Sequence, residues 1–520
     1  MAKKQKVNSG AKDLRKPHFK SFYYVLFALF LLLFFASLML SGGAKLTAAL
    51  FYDRVDTFMD HYNSVVYNEV SDPYEILVVY PPLASLMYKL CNIAIPSDDY
   101  RSFVSDPSEL SQNRAMKVNQ SFVFQFVLYW IIALLIFLAA LCLLKKGSSA
   151  DKALFVGATV LSSPFLYMAD RGNNVILPVA FSIFFIVLYD NENKILREIG
   201  LISLAVAVGL KLYPVAFLLI FIADKRYKAL GRELIYIFVT LILPFFIFYK
   251  GFSSMILMFR NLLGFDAKRT IESNLAGQLD FKRMFFFLYG VTHHYTGLTI
   301  PDGVREILAS ICRYGMSAVC AFGTLFSRKM WVRTMLIAAV IYGFPGSAST
   351  YILLFMVIPV ALMLDEEKTP SFKNYLYLFL IIMTQVPVIM LSEDGYSRYL
   401  PTKVSSIAVA FIVFMALIDM IIDFAAWNKA RRMIKKPFFK SAAEALADRF
   451  FRKTVPAAVE DSGDVIDPSV DLSGDPIDPD QCASSGDSVD PDQCASSGVP
   501  GEVLSACSVS RDQGEGGTEQ

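Results

Sequence analysis

Two carboxylates four positions apart, Asp56 and Asp60, precede the short motif Asp72-Pro-Tyr74. On a helix such residues share a face, where like charges cost a few tenths of a kcal/mol, so chemistry explains the pair better than helix stability does. Arg171 opens Arg171-Gly-Asn-Asn174 between two apolar runs. Lys211 lies within the apolar run 195–223, whose other charges are Arg197 and Glu198 at its start. Ionisable groups at membrane depth are costly and mark function by default. A carboxylate suits the removal of a proton from a hydroxyl, and cations suit the holding of an anionic reactant. Phosphate is the natural anion for guanidinium and ammonium groups. The bland alternatives are a solvated acidic loop, a snorkelling Arg171 and an ion-paired Lys211.

The elements that must position these residues are membrane helices. Of 520 residues, 55% are hydrophobic and 18% charged, and the mean hydropathy is +0.46, which argues against a soluble enzyme. Twenty-four uncharged residues separate Lys20 from Lys45, and 27 separate Lys117 from Lys145; about 20 suffice to cross a bilayer. The basic residues 1–20 place the N-terminus in the cytoplasm, ahead of a retained helix rather than a cleaved signal. Further cytoplasmic turns follow at Lys145-Lys146, Lys194/Arg197, Asp224–Lys228, Arg328-Lys329/Arg333, Asp365–Lys368 and Lys429–Arg432. Asp56, Asp60, Arg171 and Lys211 then share the extracytoplasmic face.

Run 195–223 is basic at both ends, and a break at Gly209-Leu-Lys-Leu-Tyr-Pro214 lets it rise and return, because Pro ends a helix and constrains its predecessor. A second break is expected at Phe344–Thr350. Counting these arms, the expectation is an all-α polytopic protein with about twelve transmembrane segments and both termini inside. Segment 76–95, interrupted by Pro81-Pro82, is expected on the membrane surface or partly inserted. Loop 251–302 adds Arg260, Lys268, Arg269, Lys282 and Arg283, useful for a lipid head group. Extracytoplasmic loops lack ATP, so the bound phosphate is expected to belong to a lipid.

The expected organisation is a basic cytoplasmic segment 1–20, a membrane domain 21–428 whose first extracytoplasmic loop is 42–120, a basic juxtamembrane segment 429–453 and a disordered tail 454–520. The tail carries 15 acidic residues and one basic one, with a twelve-residue repeat around Asp-Pro-Asp-Gln-Cys-Ala-Ser-Ser-Gly, a composition that buries almost nothing. Seven scattered cysteines and four histidines form no zinc pattern or disulfide framework. No metal or cofactor is expected, and no nucleic acid partner.

The ordered series Asp56-Thr-Phe-Met-Asp60, Asp72-Pro-Tyr74, Tyr80-Pro-Pro-Leu83, Arg171-Gly-Asn-Asn174 and Gly209-Leu-Lys-Leu-Tyr-Pro214 resembles the polyprenyl-phosphate-dependent membrane glycosyltransferases of glycosyltransferase family 87, over roughly residues 20–365. That family has the GT-C fold and includes bacterial mannosyltransferases. The resemblance implies inverting transfer of a hexose, mannose-like, from a polyprenyl-phosphate sugar to an extracytoplasmic glycan or glycolipid acceptor. Asp56 is then the candidate general base, with Asp60 a second base or a sugar-hydroxyl ligand. Arg171 and Lys211 would stabilise the leaving phosphate, with Tyr213, Asn173 or Asn174 donating hydrogen bonds. Tyr80, Ser349 and Tyr351 are candidate pocket walls. The partners implied are the lipid-linked sugar, the acceptor and membrane lipid. A transporter or flippase of lipid-linked sugars would use the same buried charges to line a path, and an envelope-polymer ligase or polymerase would use a diphosphate donor.

Overall fold

Uncharged apolar runs, proline-initiated turns and charged connections translate into helices throughout a computed structural model of the chain. It describes residues 15–40, 58–70, 72–75, 78–92, 120–248, 250–272, 280–345, 350–367, 369–386 and 400–433. The sequence-based expectations for Asp56, Ser349, residues 1–14 and 434–453 and the acidic tail 454–520 lie outside the described residues. Within them the regular structure is wholly helical: α1 (Arg15–Leu40), α2 (Met59–Val70), α3 (Pro82–Cys91), α4 (Gln120–Leu144), α5 (Ser149–Val160), α6 (Ser163–Arg171), α7 (Ile176–Leu188), α8 (Lys194–Leu210), α9 (Leu218–Ala223), α10 (Tyr227–Ile242), α11 (Phe252–Glu272), α12 (Phe281–Thr296), α13 (Asp302–Phe326), α14 (Met330–Gly343), α15 (Val357–Glu366), α16 (Phe372–Gln385) and α17 (Leu400–Met433).

Among the described residues five spans are long and apolar enough to cross a membrane, in α1, α4, α10 with the turn that follows it, α13 and α17; a sixth is the pair α5 and α6, bent by 55°. The expected twelve, which counted shorter arms, is not confirmed by these spans. The difference is one of length: α7 and α14 have 13 and 14 residues, about 20 Å each at 1.5 Å per residue. Large apolar side chains such as Leu32, Leu135, Phe238, Phe322 and Phe414 point outward, as lipid-facing positions require. By contrast α7 is buried along Ile176–Ala180 and at Ile183, Phe185 and Ile186, so it lies at the centre of the bundle.

Both expected breaks are present. Helix α8 stops at Leu210, Lys211 is extended (φ −149°, ψ 136°), and a 3₁₀ turn with Pro214 over Tyr213–Phe217 leads back into α9. Helix α14 stops at Gly343, and a second 3₁₀ turn, Thr350–Met356, leads into α15.

The turns predicted to share the cytoplasm meet physically. Lys20 pairs with Asp151 (2.7 Å) and Asp365 (3.1 Å), and the fully buried Lys145 joins the same two carboxylates. Arg333 pairs with Asp224 (2.6 Å), Arg226 with Asp190, and Lys329 with Glu367 (2.6 Å). These pairs tie the ends of α1, α4, α7, α9, α14 and α15 into one end of the bundle. The ends of α6 and α8 that carry Arg171 and Lys211 lie away from it.

Among the described residues of segment 76–95 lies the ten-residue α3, started by Pro82 at its first turn. Loop 251–302 contains two helices, and of its cations Lys282 pairs with Glu306 (2.7 Å) and Arg283 with Asp280 (3.0 Å). These two are engaged within the protein rather than turned to a lipid head group.

Candidate functional site

Helix α6 begins at Ser163 with Pro164 in its first turn, a position that suits proline, and ends where Gly172 turns left-handed (φ 64°). That turn brings Arg171 and Asn173 to one side. Gly172 is required by space as well as by φ: a Cβ there would lie 3.1 Å from the Phe58 Cα and 3.1 Å from the His61 Cβ. The Phe58 amide donates to the Asp170 carbonyl at 2.7 Å, with Phe58 itself left-handed (φ 62°). The first turn of α2 is therefore pressed against the end of α6.

Across that contact, Asp60 accepts from the Arg171 guanidinium (2.6 Å) at one oxygen and from the Asn173 amide (2.8 Å) at the other. Asn173 is itself oriented, because its Oδ1 accepts from the Val175 amide (3.1 Å). Asn174 is fully buried, and its side-chain amide has no hydrogen-bond partner among the described residues. Its carbonyl accepts from the Leu177 amide as α7 begins. A buried amide with open donors and acceptor is a group poised for a ligand or water.

Lys211 is reached from a different direction. Its ammonium stands 4.0 Å from the centre of the Tyr80 ring, a cation–π contact, and no carboxylate among the described residues pairs with it. Glycine at 209 permits this approach, since a Cβ there would meet the Leu83 side chain of α3 at 2.8 Å. Asp60 acts electrostatically on both Lys211 and Tyr80, and Tyr351 acts on Tyr80 and Tyr213. Tyr213 packs edge-on against Phe355 (5.5 Å), its buried hydroxyl without a partner among the described residues. Tyr351 stacks on Tyr167 (5.8 Å). Every described candidate from the sequence thus falls in one neighbourhood: Asp60, Tyr80, Arg171, Asn173, Asn174, Lys211, Tyr213 and Tyr351.

Several supporting residues have no role in the sequence reading. Asp72 caps the Tyr74 amide (3.1 Å) and accepts from the Ser254 hydroxyl. The Tyr74 hydroxyl donates to the Tyr80 carbonyl (3.1 Å), and Asn261 holds the Tyr74 carbonyl (2.7 Å). Asp72-Pro-Tyr74 is therefore a clasp that presents Tyr80 to Lys211. Its quotation as a motif was the available signal; its partners on α11, about 180 positions away, had none. Among the described residues no group of three His, Cys, Asp or Glu side chains is placed to hold a metal ion.

Residues 120–359 match the sequence model described as Glycosyltransferase family 87. No curated protein and no solved structure matches the chain. The matched segment carries Arg171, Asn173, Asn174, Lys211, Tyr213 and Tyr351, whereas Asp60 and Tyr80 precede it and reach the site through space.

Proposed function

Residues 120–359 match the glycosyltransferase family 87 model, and on that premise we propose that the chain is a glycosyltransferase of that family that transfers a mannose-like hexose from a polyprenyl-phosphate donor to a glycan or glycolipid acceptor, with inversion. The acceptor oxygen attacks the anomeric carbon from the face opposite the phosphate. The bond from that carbon to the phosphate oxygen breaks, and its electron pair leaves with the lipid phosphate.

Asp56 takes the acceptor proton. Asp60 is the poorer base, because both its oxygens accept hydrogen bonds from Arg171 and Asn173; it orients those donors instead. Arg171, Lys211, Tyr213 and the Asn173-Asn174 pair face the leaving phosphate, where preorganised donors stabilise developing charge. The basic turns at the opposite end of the bundle favour the cytoplasm, which supports an extracytoplasmic position for this chemistry.

The observation that carries the proposal is the convergence of Arg171, Asn173 and Lys211 from two separate helix ends on the Asp60 carboxylate. The test is equilibrium binding of polyprenyl-phosphate mannose to the detergent-purified chain. Lys211→Met is expected to weaken it by about tenfold or more, the worth of one charge-assisted contact. Unchanged affinity in both Lys211→Met and Arg171→Met removes the donor site from this position.

A further inference from the structure

His61 follows Asp60 directly and points the other way, into the protein. It is fully buried among the rings of Tyr88 (5.6 Å), Tyr129 (4.7 Å) and Phe126 (5.2 Å). Its Nε2 lies 2.9 Å from the Gln125 Oε1 on α4, so the ring donates from Nε2. Its Cβ faces Gly172, at the contact where a Cβ would come within 3.1 Å. No acceptor or donor among the described residues meets Nδ1. Burial holds the imidazole pKa down to about 4, so the neutral form persists at physiological pH.

The turn that carries Asp60 needs an anchor. Phe58 is left-handed without being glycine, a conformation that persists only where the surroundings impose it. Three backbone bonds hold the turn: the His61 and Tyr62 amides donate to the Phe58 carbonyl (3.0 and 3.1 Å), and the Phe58 amide donates to the Asp170 carbonyl (2.7 Å). The His61 side chain ties the same turn to α4, which runs from Gln120 to Leu144.

We propose that His61, through its hydrogen bond to Gln125, is a positioning residue that holds Asp60 in register with Arg171 and Asn173. The role rests on the donor-site reading above. Without the bond, the Gln125 Oε1 loses its His61 donor in a buried site, the α2 turn loosens, and Arg171 and Asn173 lose the carboxylate that orients them. His61 touches no substrate; it acts through Asp60.

The test uses the full chain and polyprenyl-phosphate mannose as the binding probe, with thermal unfolding measured alongside. His61→Phe keeps a ring but removes the donor, whereas His61→Gln keeps an amide N–H within reach of Gln125. His61→Phe is expected to weaken donor binding by about fivefold to tenfold, and His61→Gln to recover to within about twofold of the original affinity. Gln125→Leu is expected to match His61→Phe, and the double variant to be no worse than either single one. Unaltered affinity in folded His61→Phe overturns the proposal, as does a His61→Gln variant as impaired as His61→Phe. If Arg171→Met weakens binding while His61→Phe does not, this inference alone fails; if neither does, the donor site itself fails.

Discussion

Asp60 and Arg171, 111 positions apart, meet at 2.6 Å, and the second carboxylate oxygen of Asp60 is taken by Asn173 at 2.8 Å. With both oxygens of Asp60 engaged, the two aspartates that look equivalent in the sequence are proposed to have unequal roles, Asp56 being the base. Asp60 is engaged by a cation and an amide, and its exchange for a neutral group alters the placement of Arg171 rather than the supply of a base.

This inequality sets the first prediction. Asp56→Asn is expected to lower the rate of glycosyl transfer by about 10²–10⁴ with donor binding retained, the range for loss of a general base. Asp60→Asn is expected to act chiefly on donor affinity. Transfer of labelled mannose in single-turnover experiments separates the two; equal losses of rate in both variants contradict the assignment.

Gly172 is the pivot between α6 and the Asp60 turn. Replacement by Ala forces a side chain into a left-handed residue (φ 64°) and against the Phe58 backbone at 3.1 Å, at a cost of about 1–3 kcal/mol. A lower unfolding midpoint together with weaker donor binding is expected. Gly157 in α5 serves as control, since a Cβ there meets nothing within 4 Å; its change to Ala is expected to raise stability by up to about 1 kcal/mol.

At the opposite end of the bundle, Lys145 is fully buried between Asp151 and Asp365. Removing one carboxylate from such a cluster leaves charge uncompensated, and Asp365→Leu is expected to destabilise by about 3 kcal/mol. Lys20→Met is expected to do less, because Lys20 is a quarter exposed and its loss leaves Lys145 paired. Thermal unfolding in detergent orders the two variants.

His61 predicts an acid limb of stability. Its pKa is about 4 in the folded chain, against about 6.5 when unfolded. The unfolded state binds the extra proton, so the contribution is complete above pH 6.5 and is lost as pH falls toward 4. The slope approaches 1.4 kcal/mol per pH unit, about 3 kcal/mol in all. The groups facing the ring are Gln125, Tyr62, Tyr88, Phe126 and Tyr129. Comparing unfolding midpoints at pH 5 and pH 7 in the parent and in His61→Gln checks this: the parent is expected to show the steeper decline.

Much of the architecture was legible because charge and apolarity act along the chain. Basic residues mark the turns at 145, 226 and 333, and ion pairs now join those turns. Pro214 and the small residues after Phe344 mark the two breaks, since a helix cannot be propagated through proline. The presence of Arg171 and Lys211 at the far ends of their helices followed from the same alternation.

What the sequence by itself determined, then, is a helical chain with apolar spans, with Arg171 and Lys211 at helix ends away from its basic turns. Only the tertiary structure decided which side chains meet. The union of Asp60 with Arg171, the hold of Asn261 on the Tyr74 carbonyl, and the anchoring of His61 by Gln125 each join residues distant in the chain. Their geometry depends on backbone approach at Gly172 and Gly209, and such packing leaves no periodic trace in a single chain. Side-chain pairing across distant segments is set by three-dimensional shape, whereas membrane crossing is set by solvation, which local composition already encodes.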